Sequence, residues 1–405
     1  MNMHTVTRTI YQTRRSARQH VKRPPVKPLE RRIFNTQSKA HQTAKTQKRA
    51  PKQMIALLVA AHNEEVVLGN TLLSAINAGM DRAHIYVVDD NSSDNTGKIA
   101  KEILPAENVV KVGRSGKGLA LTKGARKFKL TERYRWIHIA DADGAFASNY
   151  FYIFRRELRS DYAAATGYIR SLPGKRVSEF RVMEYTIGME LHRRFQNMFN
   201  VIPVIPGPTS CFRSDVFDKV NFQNGSLTED FDVTLQLHRQ KLGKVQFIPK
   251  AVTYTQDPKT TQDFIKQITR WNRGGLQSMA NHKIGRKFSA IDAYLSYQII
   301  QNLMFFVIYC LWIPYMTITR HTPAVLATAF VIDVFITYVI TFLTALKTRR
   351  WDVLSAFPQV YIFRWISLGV FLKAFVEVVI LRKYRTRQDG HWENNATRRY
   401  VMSSS

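Results

Sequence analysis

From residue 54 onward the chain alternates short apolar runs with stretches of helical spacing. MIALLVA begins at 54, IYVVDD at 85, NVVKV at 108 and WIHIAD at 136. Each run is brief, and each gives way to polar side chains, the pattern of a buried strand. Between them, helical segments are predicted over about 64–79, from near 94, from about 117 and from about 149. Such alternation predicts an α/β domain, a mostly parallel sheet with helices on both faces. Ligands bind such sheets at the carboxyl ends of their strands. HNEE (62–65), DDNSSD (89–94) and DAD (141–143) all fall there.

The pattern changes again at both ends. Residues 1–53 lack a sustained apolar period and read as a basic, disordered arm. Residues 294–316 and 324–346 are each long enough to cross about 30 Å of hydrocarbon, and the first holds no formal charge. A third apolar region, 353–381, contains Arg364, Lys373 and Glu377. It is either one span or an interfacial segment to about 363 followed by a span. The expected organisation is the arm (1–53), an α/β domain (54–290), a membrane domain (291–385) with two to three transmembrane helices, and a polar tail (386–405). With the α/β domain in the cytoplasm of a multi-pass cell-membrane protein, Lys347, Arg349 and Arg350 fall inside, as the positive-inside rule asks. A third full span would put LRKYRTR outside, against it. Asp333, within the second span, lines a polar path or bonds to a neighbouring helix.

Charge narrows the partners. The 405 residues carry a formal charge of +30. Residues 1–53 hold 14 basic side chains against one acidic, 54–290 hold 34 against 23, and 291–405 hold 12 against six. Anionic lipid headgroups, phosphorylated substrates and nucleic acid are the candidate partners. The last would make this a membrane-tethered nucleic-acid-binding protein, but no base-reading motif accompanies the charge, and no specific nucleic acid is expected. Cys211 and Cys310 stand far apart, which excludes a disulfide framework and a cysteine metal cluster. The basic start has no apolar segment behind it and is not a secretory signal peptide.

Five constellations bear chemistry. Asp141 and Asp143, two carboxylates at i and i+2 on a strand end, suit a hard divalent cation that shares phosphate oxygens; a surface turn is the plainer alternative. Asp89 and Asp90 end another strand where a nucleotide base or ribose could be held. GKG (116–118) lets backbone approach a ligand, with Lys117 offsetting diphosphate charge at a helix start. TED (228–230) is either a capped helix start, with Thr228 as cap, or the source of a general base. In QITRW (267–271), Gln267, Arg270 and Trp271 share one helix face, a donor set beside an aromatic wall, or equally the face of an interfacial helix.

Taken in order, AHNEE, VVDDNSSD, GKG, DAD, PGPTSCFR (206–213), TED and QITRW resemble the family-2 inverting glycosyltransferases of GT-A fold. More narrowly, they look like the membrane-embedded, processive synthases of β-linked glycans such as chitin, hyaluronan, cellulose and poly-N-acetylglucosamine. The likeness covers about 54–290. It implies a nucleotide-sugar site at His62, Glu64, Asp89, Asp90, Lys117 and Asp141, and a Mg²⁺ or Mn²⁺ on Asp141 and Asp143. It also implies a catalytic set of Asp230, Gln267, Arg270 and Trp271, with Asp230 as base. The expected activity is a hexosyl transfer from a nucleotide-sugar, UDP-GlcNAc or UDP-Glc, to a growing β-linked polysaccharide. A non-processive transfer to a lipid acceptor is the alternative. This sequence departs from the family in having Ala60, Ala61 and His62 where Pro, Ala or Ser, and Tyr are usual. It also has a polar arm where many members have spans, which leaves room for an accessory subunit.

Overall fold

The computed structural model describes residues 55–172, 177–223, 226–320 and 323–383; the expected arm and tail lie outside these described residues. Strand β1 (Ile55–Ala61) is buried at every position. Ala56, Leu58 and Ala60 pack into one apolar layer, and Ile55, Leu57, Val59 and Ala61 into the other. A strand covered on both faces needs no polar alternation, which is why MIALLVA reads as an unbroken apolar run.

Strands β2 (Ile85–Asp90), β3 (Val109–Val112) and β4 (Trp136–Ala140) join β1 in the order β3-β2-β1-β4, all parallel. The remaining strands are β5 (Ala145–Phe146), β6 (Ala164–Ser171), β7 (Ser210–Arg213) and β8 (Val245–Thr255), and they make this half of the sheet mixed. β7 is antiparallel to β4 and β6, β8 is parallel to β6, and β5 is antiparallel to β8. Helices α1 (Leu68–Asn77), α2 (Thr96–Ile103), α3 (Lys117–Lys127) and α4 (Tyr150–Glu157) cover the faces. α3 contributes Ala120, Leu121 and Ala125 to one layer; α1, α2 and α4 contribute Leu68, Ala100 and Phe151 to the other. α1 starts later than the expected 64 because Glu64 is held in a turn. Its backbone N–H donates to Thr96 Oγ1, and its carbonyl accepts from Val67 and Leu68.

Five further helices complete the α/β domain and lead out of it. α5 (Val177–Ile187) continues through a π-helical stretch, Gly188–Arg193, and a last turn to Met198. α6 (Glu229–Arg239) and α7 (Thr261–Asn281) carry the TED and QITRW residues. α8 (Ala290–Phe306) runs on as helix to Thr319, and α9 (Pro323–Thr348) follows. Both are long and apolar enough to cross a membrane, and only 6% and 17% of their most apolar windows are buried within the chain. A helix of a soluble core would be covered far more.

The third apolar region forms α10 (Phe357–Phe375), extended to Ile380. It lies along α7: Val360 and Phe363 pack with Phe264 and Ile268, while Phe371, Ala374 and Val378 pack with Leu276 and Met279. Asp333 accepts from Tyr361 Oη at 2.7 Å and from Arg364 at 2.5 Å. Of the two readings of Asp333, its partners are those of a link between α9 and α10.

Candidate active site

One cavity of about 360 Å³ opens at the carboxyl ends of β1 and β4. The sheet supplies Glu64, Asp141 and Asp143 to its wall; α3 supplies Lys117; α6 supplies Glu229 and Asp230; α7 supplies Gln267, Arg270 and Trp271. Residues from five separate sequence segments thus face one space. Asp89 and Asp90 are buried outside it. Asp90 accepts from Ser115 N, Ser115 Oγ and Gly116 N at 2.8–2.9 Å. Asp89 accepts from Ser92 N at 2.7 Å. His62 Nδ1 is 2.8 Å from Asp90 O, and its other ring nitrogen meets Arg114. Asp90 and His62 therefore brace the loop that leads into α3, and Asp89 braces the turn that leads into α2. Gly116, at φ +80°, makes the turn that a side chain would resist.

Lys117 is the hub of the charged wall. Its Nζ lies 2.7 Å from Asp141 Oδ1 and 2.7 Å from Glu229 Oε1. Burial alone would lower its pKa, but the charges of Asp141 and Glu229 overcome this and raise it, so the ammonium is kept charged. Gly207 closes over this pair: a Cβ there would stand 2.6 Å from Asp141 Oδ1 and 2.8 Å from Lys117 Nζ. Burial and the Glu229 charge push Asp230 up to about 6, with Lys117 and Arg270 opposing them.

The cap expected from Thr228 is absent. Its side chain makes no capping bond, and Oγ1 is buried without a hydrogen-bond partner. Acidic residues in the first turn, Glu229, Asp230 and Asp232, complement the helix dipole instead. Arg270 donates to Leu227 O at 3.4 Å, which ties α7 to the TED loop. Sequence reasoning placed Glu229 within TED, a possible source of the base, but gave it no site role of its own; its ion pair with Lys117 supplies a second contact to that wall. Sequence reasoning missed Arg193, whose burial lowers its pKa to about 10. Met189 and Arg193, four apart on the π-helical stretch, both line the cavity.

The donor chemistry of Asp141 and Asp143 fits a hard cation. Among the described residues no group of three or more His, Cys, Asp or Glu side chains could hold a metal ion. A Mg²⁺ or Mn²⁺ needs only one or two carboxylates when substrate phosphates complete its shell.

Acidic strand ends of an α/β sheet, a helix-borne lysine and the half-buried Asp230 thus line one cavity. The sequence profile described as "Glycosyltransferase like family 2" matches residues 51–274, and the chain belongs to that family, with the GT-A fold. "Probable glycosyltransferase YdaM" of Bacillus subtilis is 30% identical over 253 residues, 56% of each chain. "Poly-beta-1,6-N-acetyl-D-glucosamine synthase" of Staphylococcus aureus is 26% identical over 232 residues, 55% of this chain and 54% of that one. The chain spans about half the length of the curated relatives it matches. A solved mannosyltransferase from Pyrobaculum calidifontis, in complex with GDP-Man and Mn²⁺, covers 85% of this chain and 94% of its own at 14% identity and a TM-score of 0.49.

Proposed function

We propose that this chain is a membrane-embedded, divalent-metal-dependent inverting glycosyltransferase that moves a sugar from a UDP-sugar, UDP-GlcNAc or UDP-Glc, to a growing β-linked glycan. The observation that supports it most is Asp230, a carboxylate raised to about 6, on the same cavity wall as Lys117 and Arg270. A base poised near neutral pH and two cations for a leaving diphosphate are what sugar transfer to a hydroxyl requires. The naming of a poly-N-acetylglucosamine synthase among the relatives supports the glycan acceptor and GlcNAc as first donor to test. Two poorly covered apolar helices support the bilayer.

In this reading the acceptor hydroxyl gives its proton to Asp230 as its oxygen bonds to the anomeric carbon from the face opposite the diphosphate. The bond from that carbon to the diphosphate oxygen breaks, its electron pair leaves with the nucleoside diphosphate, and configuration inverts. Lys117 and Arg270 neutralise charge on the leaving group. Asp141 and Asp143 would hold Mg²⁺ or Mn²⁺, which supplies further positive charge to the diphosphate oxygens. Gln267 and Trp271 form the wall that orients the acceptor.

The test is turnover by the full chain in lipid nanodiscs with labelled UDP-GlcNAc, UDP-Glc and GDP-mannose, each with and without Mn²⁺ or Mg²⁺, followed by sizing of the product. Long products with a UDP-sugar support the proposal. A single sugar on extracted lipid would replace the glycan acceptor by a lipid one, and no transfer from any donor would overturn it.

A further inference from the structure

Behind the cavity, the face of α7 that carries Gln267 and Trp271 rests on a buried cation from α5. Arg181 is fully buried. Its guanidinium donates to Gln267 Oε1 at 2.7 Å. The same group lies over two rings of α7, 4.7 Å from the centroid of Trp271 and 4.7 Å from that of Phe264. Its NH1 pairs with Glu184. Phe264, Gln267 and Trp271 stand at i, i+3 and i+7, so one planar group spans two turns of α7. A guanidinium stacks its plane on the rings while its edge donates; an ammonium has no plane to stack.

Gln267 and Trp271 line the cavity, whereas Arg181 does not. A fully buried ionic group is weak as a device for stability alone, since apolar residues of equal volume often serve as well. Here the cation sets side-chain orientation: the amide of Gln267 and the indole of Trp271 each have a fixed partner on the side away from the cavity. We propose that Arg181 is a positioning residue that holds Gln267 and Trp271 in their cavity-facing rotamers. The inference rests on the reading that this wall receives the acceptor.

The test uses the full chain in nanodiscs with its six tryptophans replaced by 5-fluorotryptophan, the Trp271 resonance being assigned by its loss in Trp271→Phe. Arg181→Lys keeps the charge and loses the planar fork. We expect it to shift the Trp271 line without substrate, and to lower kcat about tenfold while donor KM stays within about twofold. Combined with Gln267→Ala, the loss is less than the product of the two single losses, because the bond between Arg181 and Gln267 is counted in both. Glu184→Gln, at a half-exposed edge where misfolding is not expected, releases one side of the guanidinium and moves the same line. A Trp271 line unmoved in both variants overturns the proposal, as do fully additive losses with Gln267→Ala. Should the wild type turn over no nucleotide-sugar, the functional reading fails, while the fluorine lines still decide the role of Arg181.

Discussion

Asp230 works against the fold that holds it. Burial and the Glu229 charge keep its folded pKa, about 6, above its usual value of 3.8. A carboxyl raised in this way contributes stability below about pH 4 and loses it as pH rises through about 6. Asp230→Asn therefore melts higher than wild type at pH 7.5, by about 1–2 kcal/mol, and matches it near pH 4. Its transfer rate falls by about 10³-fold. Calorimetry at the two pH values and a turnover assay read both effects. Wild-type turnover, for the same reason, drops as pH falls through about 6. Gly207→Ala forces a methyl group against Asp141 and Lys117. It raises donor KM about tenfold, with less effect on kcat, in steady-state kinetics. At this scale the expected residues Glu64, Lys117, Asp141, Asp143, Asp230, Gln267, Arg270 and Trp271 line the cavity, whereas His62, Asp89 and Asp90 lie outside it. The sequence did not disclose Arg181 or Arg193, because a cation on an amphipathic helix looks like solvated surface until the helix is docked.

Elements built from local pattern were legible, and those built from long-range pairing were not. β1 to β4 and the helices after them follow from apolar runs and their spacing. β5 has two residues and β7 the half-polar SCFR; neither carries an apolar run, and both gain strand character by pairing with β8, β4 and β6. The third apolar region was open between a span and an interfacial segment because its apolar residues serve two partners. Phe363 shows this, with ring contacts to Phe180 at 5.5 Å and Phe264 at 5.0 Å. Phe363→Ala should cost about 3–4 kcal/mol, seen as a lower thermal midpoint in nanodiscs. A loss under 1 kcal/mol would mean that α10 is not docked on α7. A link of another kind joins α6 to α8: Arg239 forms a two-pronged pair with Asp292 at 2.6 and 2.8 Å. The helix bearing the candidate base is thereby fastened to the start of the first long apolar helix.

For the molecule as a whole, the two native thiols report on placement in lipid. Cys310 is exposed on the helix that runs to Thr319, and Cys211 is buried in β7. In intact vesicles a charged, impermeant maleimide should label neither thiol, and unfolding in sodium dodecyl sulfate should make both reactive. Labelling of Cys310 by the charged reagent before solubilisation would place that helix in water.

The cavity wall also sets an order of arrival. Glu64, Asp141, Asp143, Glu229 and Asp230 face it with only Lys117, Arg193 and Arg270 in opposition. On the proposed function, such a pocket should repel a lone polyanion and attract a small cation, so the expected order is ion before nucleotide, with departure in reverse. Titration calorimetry should find no heat for UDP in chelator and a clear isotherm once Mn²⁺ is supplied.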